Sequence, residues 1–159
     1  MKKLILGLLL ISLNCFAESP VIIADKVKAT VTVYYPDTQT SITKPALFGK
    51  NKSNVLNMDN YDYPAAFDNI TPAGTFPLIK IHSWRLGDDM LVFIKGKVSV
   101  GAIHPLWTGN PDQHRIERLR SETPDDNRIT GGCINVDEDF FYNTLNKLPP
   151  DTKLTILPE

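Results

Sequence analysis

The sequence predicts a mainly β protein, a strand-rich sandwich or barrel-like fold with one or two short helices. Three observations point there. Runs of β-branched and apolar residues of strand length recur along the chain, as in "ATVTVYY" (29–35), "MLVFI" (90–94) and "TKLTIL" (152–157). Clusters of Gly, Pro, Asn and Asp separate these runs and mark turns. Convincing helical spacing occurs at one place, "EDFFYNTLNKL" (138–148), and no alternating strand–helix series supports a doubly wound sheet.

The elements follow in order. The leader "MKKLILGLLLISLNCFA" has two lysines, an apolar run from Leu4 to Leu13 and small residues ending at Ala17. This is the pattern of a signal peptide over residues 1–17, leaving 18–159 as a single domain. Its apolar run is half of the roughly 20 residues needed to span a bilayer, so no stable membrane insertion is expected after cleavage. A lipid on Cys15 is disfavoured by Asn14, where a small residue would be wanted. "ATVTVYY" reads as a strand ending at Pro36, and "SITKPALFGK" as a second extended piece. From Asn51 to Ile70 the composition is that of a long polar loop, a length usually reserved for function or mobility.

"TPAGTFPLIKIHSW" reads as a turn feeding a strand, and Met90–Ile94 with Val98–Ile103 as a hairpin joined by Lys95-Gly96-Lys97. In the excursion that follows, "HRIERLRS" makes two helical turns with Ile116 and Leu119 on one side. "RITGGCINV" returns as a strand with a glycine kink. Asp137 caps the last helix, whose Phe141, Leu145 and Leu148 share a face, and "TKLTILP" closes as a strand.

Composition excludes several roles. The formal net charge is −1, and the leader takes two lysines and no acid with it. A mildly acidic chain without basic runs carries no electrostatic footprint for nucleic acid. No Cys/His set has zinc spacing, so no metal is expected, and "PDD" and "DEDF" read as turn and cap.

Of the two cysteines, Cys15 leaves with the leader, so Cys133 stands alone in an exported protein. Such a thiol is a buried core residue, an intermolecular disulfide partner or a reactive nucleophile. A nucleophilic thiol needs a base, commonly histidine, and donors for the oxyanion formed when it attacks a carbonyl. The chain offers His82, His104 and His114, and Gly131 and Gly132 free the backbone beside the thiol for close approach.

These residues carry a resemblance. In "ITGGCINV", Thr130, Gly132, Cys133, Ile134 and Asn135 match the end of the catalytic signature of the YkuD-type L,D-transpeptidases. "TPAGTF" (71–76) resembles that family's TP-x-G-x-F turn, and "VGAIHP" resembles the strand that carries its histidine. The three motifs occur in family order across residues 29–157, and the longer stretch before the cysteine resembles a branch found in predicted secreted proteins. The resemblance implies a β-sandwich catalytic domain, a periplasmic or secreted location and no cofactor. It also implies a thioester acyl-enzyme acting on peptidoglycan stem tetrapeptides, with Cys133 as nucleophile and backbone N–H groups near Gly132 and Cys133 as the oxyanion site. Water in place of an amine acceptor would make a carboxypeptidase or endopeptidase, and loss of activity would leave a cell-wall-binding module.

Two departures stand out. Gly131 replaces the family's histidine beside the nucleophile. Spacing to Thr130 fits His114 better than His104, but His104 ends an apolar strand, a rigid place for a base, whereas His114 lies among surface charges. His104 is therefore the expected base and His114 the alternative, with His82 an ordinary strand residue. Arg128 is a candidate for the stem carboxylate, or a solvated strand-edge charge. Trp84 and Trp107 either line a cleft or fill a core.

Overall fold

The computed structural model describes residues 18–56, 68–84, 87–95 and 100–159. The leader, most of the polar loop and the Gly96–Lys97 turn lie outside these residues. Ten strands are described: β1 (Val21–Asp25), β2 (Thr30–Tyr35), β3 (Thr40–Gly49), β4 (Gly74–Pro77), β5 (Ile79–Ser83), β6 (Asp88–Lys95), β7 (Val100–Pro105), β8 (Arg128–Thr130), β9 (Ile134–Val136) and β10 (Lys153–Ile156). Two short helices accompany them, α1 (Arg115–Leu119) and α2 (Glu138–Asn143). No helix among the described residues is long and apolar enough to cross a membrane.

The strands join in one sheet, ordered β4-β10-β1-β2-β3-β9-β7-β6-β5, with β8 beside β3. Alternation in β1 and β2 buries Ile22, Ala24, Val31 and Val33 on one face, as a period of two requires. The sheet curls over this face. Phe76 of β4, at one end of the strand order, sits 5.5 Å between ring centroids from Phe93 of β6, near the other end. α2 fills the space beneath with Phe140 and Phe141, and Leu145 follows, all buried. Asp137 accepts from the Phe140 N–H at 3.2 Å and is the expected cap. The helix stops at Asn143, short of the expected Leu148, and a single 3₁₀ turn over Leu145–Lys147 takes its place.

Three other segments differ from expectation. β1 was not anticipated; it pairs antiparallel with β2 and parallel with β10. "TFPLIKIHS" is two strands, because β4 pairs with β10 and β5 with β6, far apart in the sheet. "RITGGCINV" is a chain reversal instead of a kinked strand: β8 runs parallel to β3 and β9 antiparallel to it. In α1, Leu119 is buried but Ile116 is 43 % exposed, so one of the two expected apolar contacts forms.

A buried cation gathers several of these pieces. Lys26, 1 % exposed, shares the three donors of its ammonium among four acceptors around Nζ: Ser53 O (2.8 Å), Asn54 Oδ1 (2.9 Å), Thr71 O (3.0 Å) and Glu159 Oε1 (3.0 Å). A buried ammonium is tolerated only when its donors are satisfied and an opposite charge is close. Lys26→Met removes the charge that pairs with Glu159 and takes the ammonium donor from the Ser53 and Thr71 carbonyls, and is expected to cost about 3–5 kcal/mol, read as a lowered urea midpoint.

Candidate functional site

The site is assembled by a parallel ladder. β7 and β9 pair Ile103 with Ile134, His104 with Asn135 and Pro105 with Val136. Cys133 is the residue just before β9, two positions from Asn135, so strand alternation directs both toward the side that His104 occupies. Cys133 and His104, expected as nucleophile and base, are thus brought to neighbouring strands.

Each polar atom of His104 has a partner. Nδ1 lies 2.7 Å from the Pro105 carbonyl oxygen and Nε2 lies 3.0 Å from Asn135 Nδ2. A carbonyl only accepts and an amide nitrogen only donates, so Nδ1 carries the proton and Nε2 presents its lone pair. The imidazole is 6 % exposed, and burial pushes its pKa down. The Pro105 carbonyl and Asp88 act against this lowering, while the Arg115 charge adds to it.

Cys133 is half-buried against Met90, Val92, Val100 and Ala102. Its Sγ donates to the Val100 carbonyl at 3.7 Å. Burial pushes the thiol up, opposed by a hydrogen bond from the Ala102 backbone and by the Arg115 charge. Both shifts favour a neutral thiol and a neutral imidazole at rest, with the Nε2 lone pair accepting from the Asn135 amide. The resting site is not a preformed thiolate–imidazolium pair, and the thiol faces Val100 while the imidazole faces Asn135.

The turn carrying the thiol is clamped from both sides. Thr130 Oγ1 donates to Cys133 O at 2.6 Å and accepts the Gly132 N–H at 3.2 Å. Gly132 has φ +122, a conformation that side chains rarely adopt. Its carbonyl accepts from Thr71 Oγ1 at 3.0 Å, and the same hydroxyl accepts the Gly49 N–H at 2.9 Å. Gly49 is indispensable here, since a Cβ would lie 2.3 Å from Asn69 O. Gly131 is exposed, and a Cβ there would meet only Asn69 Oδ1, at 3.9 Å. A β-carbon at this position is therefore not excluded by space.

The other candidates lie elsewhere. Arg128 is joined to Glu159 and donates to Lys26 O at 3.2 Å. It lines a cleft with Lys26, Lys52, Ser53, Asn54 and Glu159 that includes neither Cys133 nor His104. His114 is exposed at φ +47 before α1, and its ring has no hydrogen-bond partner among the described residues. His82 pairs across strands with Asp89 at 2.9 Å and stands edge-on to the exposed Trp84, as an ordinary strand histidine. Trp107 is 36 % exposed and lies under the Arg115 guanidinium, 4.9 Å from its ring centroid.

Sequence reasoning assigned no role to three residues at this site. Thr71 was visible within its motif but its hydroxyl bridge was not. Asn135 was matched only as a motif letter. Arg115, whose NH1 donates to Asn135 Oδ1 at 2.5 Å, read as one surface charge among many.

No protein-family model matches the sequence, and no curated protein matches it. Solved structures do. The Ldtfm–avibactam carbamoyl enzyme is 15 % identical with a TM-score of 0.55, covering 89 % of this chain and 50 % of that one. Bd1075 of Bdellovibrio bacteriovorus is 16 % identical with a TM-score of 0.53, over 87 % of this chain and 48 % of that one. An L,D-transpeptidase from Mycobacterium tuberculosis H37Rv is 13 % identical with a TM-score of 0.53, over 87 % and 57 %. The fold is thus that of the L,D-transpeptidase structures, and the chain spans about half the length of the structures it matches. At these identities the likeness is one of fold.

Two outcomes follow from the site itself. Thr71→Val keeps the shape but leaves the buried Gly49 N–H and Gly132 carbonyl without their partner, and is expected to lower stability by about 1–3 kcal/mol in a denaturant titration. Because the thiol is raised, its thiolate fraction climbs only above the ordinary value of about 8.5. Alkylation of Cys133 by iodoacetamide should keep accelerating past that pH, and a plateau reached below pH 8 would contradict the assignment.

Proposed function

We propose that this protein is a periplasmic or secreted cysteine acyltransferase of the L,D-transpeptidase type, acting on peptidoglycan stem tetrapeptides. The observation that carries the reading is the neutral Cys133–His104 arrangement on adjacent parallel strands, inside a fold shared with solved L,D-transpeptidases. The motifs in Thr71–Phe76 and Thr130–Asn135 support it as well, since their hydroxyls and glycines clamp the turn that bears the thiol.

In this reading the thiol leaves the Val100 carbonyl and attacks an amide carbonyl of the stem. As the Asn135 amide moves off His104 Nε2, the thiol proton passes to that nitrogen and from there to the departing amine of the terminal residue, leaving a thioester on Cys133. An incoming amine then attacks the thioester and gives its proton to Nε2, the C–S bond breaks, and Nε2 passes that proton to the departing sulfur, restoring the thiol and the neutral imidazole. Holding both partners neutral avoids forming two charges in an apolar pocket before substrate arrives. Backbone N–H groups at Gly132 and Cys133 serve the oxyanion, with the 3.2 Å bond from Gly132 to Thr130 giving way as charge develops. Arg128 would take the stem carboxylate only by releasing Glu159.

A second reading, a cell-wall-binding module without turnover, is favoured by one observation: at rest the thiol bonds Val100 and not His104. Incubation with disaccharide-tetrapeptide, followed by mass spectrometry of protein and products, separates the two. We expect a Cys133 adduct with loss of the terminal residue, no turnover in Cys133→Ala, and a loss of about 10²–10⁴-fold in His104→Ala. Avibactam, which gives a carbamoyl enzyme with one protein of this fold, is a useful trap. Full rate in His104→Ala with none in His114→Ala would move the base to His114, and unaltered fragments with wild-type protein would favour the binding module.

A further inference from the structure

The stretch between β7 and β8 holds a residue whose hydrogen bonds reach into the site from outside the motifs. Arg115, at the start of α1, is held at three points. Its Nε donates to Gln113 Oε1 at 2.7 Å, its guanidinium lies over the Trp107 ring, and its NH1 donates to Asn135 Oδ1 at 2.5 Å. An arginine braced by stacking and a second hydrogen bond is a rigid donor.

That rigidity has a chemical result at His104. An asparagine amide presents either oxygen or nitrogen to a neighbour, and the two orientations differ little in shape. Arg115 has only donors, so it claims Oδ1 and turns Nδ2 toward His104 Nε2, 3.0 Å away. The opposite orientation would face NH1 with an amide NH₂ and offer Nε2 an acceptor, which favours a proton there in competition with the Nδ1 proton held by the Pro105 carbonyl. The observed orientation leaves Nε2 unprotonated, its lone pair accepting from an amide that must move aside for a proton to arrive.

We propose that Arg115 is a positioning residue that, through Asn135, turns an amide donor toward His104 Nε2 and so reinforces the Nδ1–H tautomer that the Pro105 carbonyl also favours. The structural part of this stands alone, while its catalytic meaning rests on the acyltransferase reading above. The charged and titratable groups around the imidazole are Arg115 from α1, Asp88 from β6 and Cys133 before β9. Asp88 is engaged by the Tyr142 hydroxyl. The segment between β7 and β8 therefore does more than bridge two strands, since it delivers the residue that orients the amide facing His104 Nε2.

The test is ¹⁵N-histidine NMR of the protein near neutral pH, with His82→Gln and His114→Gln used to assign the His104 signals. We expect a protonated-type shift at Nδ1 and a lone-pair-type shift at Nε2 in the wild type. Arg115→Met, which keeps length over Trp107 but has no donor, frees the Asn135 amide to turn and should shift the Nε2 signal away from its lone-pair value, with Nδ1 moving less because the Pro105 carbonyl still holds its proton. Its kcat should fall about 10- to 100-fold with little change in KM. Arg115→Lys should restore both the shifts and the rate. Asn135→Asp, which accepts from both neighbours, should protonate Nε2 near neutral pH and raise the acidic limb of the pH–rate profile.

Wild-type signals showing Nε2–H would overturn the proposal, as would unchanged shifts in both Arg115→Met and Asn135→Asp. If Arg115→Met fails to fold, the Asn135→Asp shifts decide alone. Shifts that behave as expected without any thioester in the wild type sink the acyltransferase reading and leave the tautomer control standing. A thioester whose formation is indifferent to these shifts does the reverse.

Discussion

Three residue pairs of parallel ladder between β7 and β9 set His104 opposite Asn135, with Cys133 two residues upstream. Parallel neighbours cannot be joined by a tight hairpin and need a long crossover. The chain between Pro105 and Ile134 supplies it, and in doing so must place α1, β8 and the glycine turn on the way. The crossover is thus forced by the pairing that brings thiol and imidazole together. Its contents then become the surroundings of the site: Trp107 and Arg115 on one side, Thr130 and Gly132 on the other.

The electrostatic character of the site follows from what this crossover covers. Both ionisable groups are shifted by burial in the direction that favours their neutral forms, the thiol up and the imidazole down. Arg115 is the one charge that acts on both, favouring the thiolate and disfavouring the imidazolium. Its effect on the pair is therefore to make the thiol the easier proton source without making the imidazole a charged resting partner. Around these buried groups every nearby dipole counts for more than it would in solution.

Much of this was legible in the sequence where chemistry is local. The strand-rich class, the cap at Asp137, the apolar face of Phe141 and Leu145, and the placement of His104 at the end of a strand all follow from neighbours within a few positions. The failures have a common cause. "TFPLIKIHS" looks continuous because nothing in it says that its halves pair with β10 and β6. "RITGGCINV" looks like one strand because reversal at Gly131 and Gly132 depends on both flanks meeting β3. Arg115 is separated by 20 residues from the Asn135 it orients, and no local pattern marks it out from Arg118 or Arg120. Arg128 looked available for a ligand because its partner, Glu159, lies 31 residues away.

The first and last described strands are neighbours, β1 beside β10, and Lys26 closes on Glu159 across 133 residues. Contacts of such sequence separation form late and slowly, since loop closure must be paid for before they give anything back. Glu159 also holds Arg128, at the start of the strand that leads into the thiol turn. Assembly of the turn that bears Cys133 is thereby coupled to arrival of the distal segment, and the half-buried surroundings of the thiol depend on contacts made far along the chain.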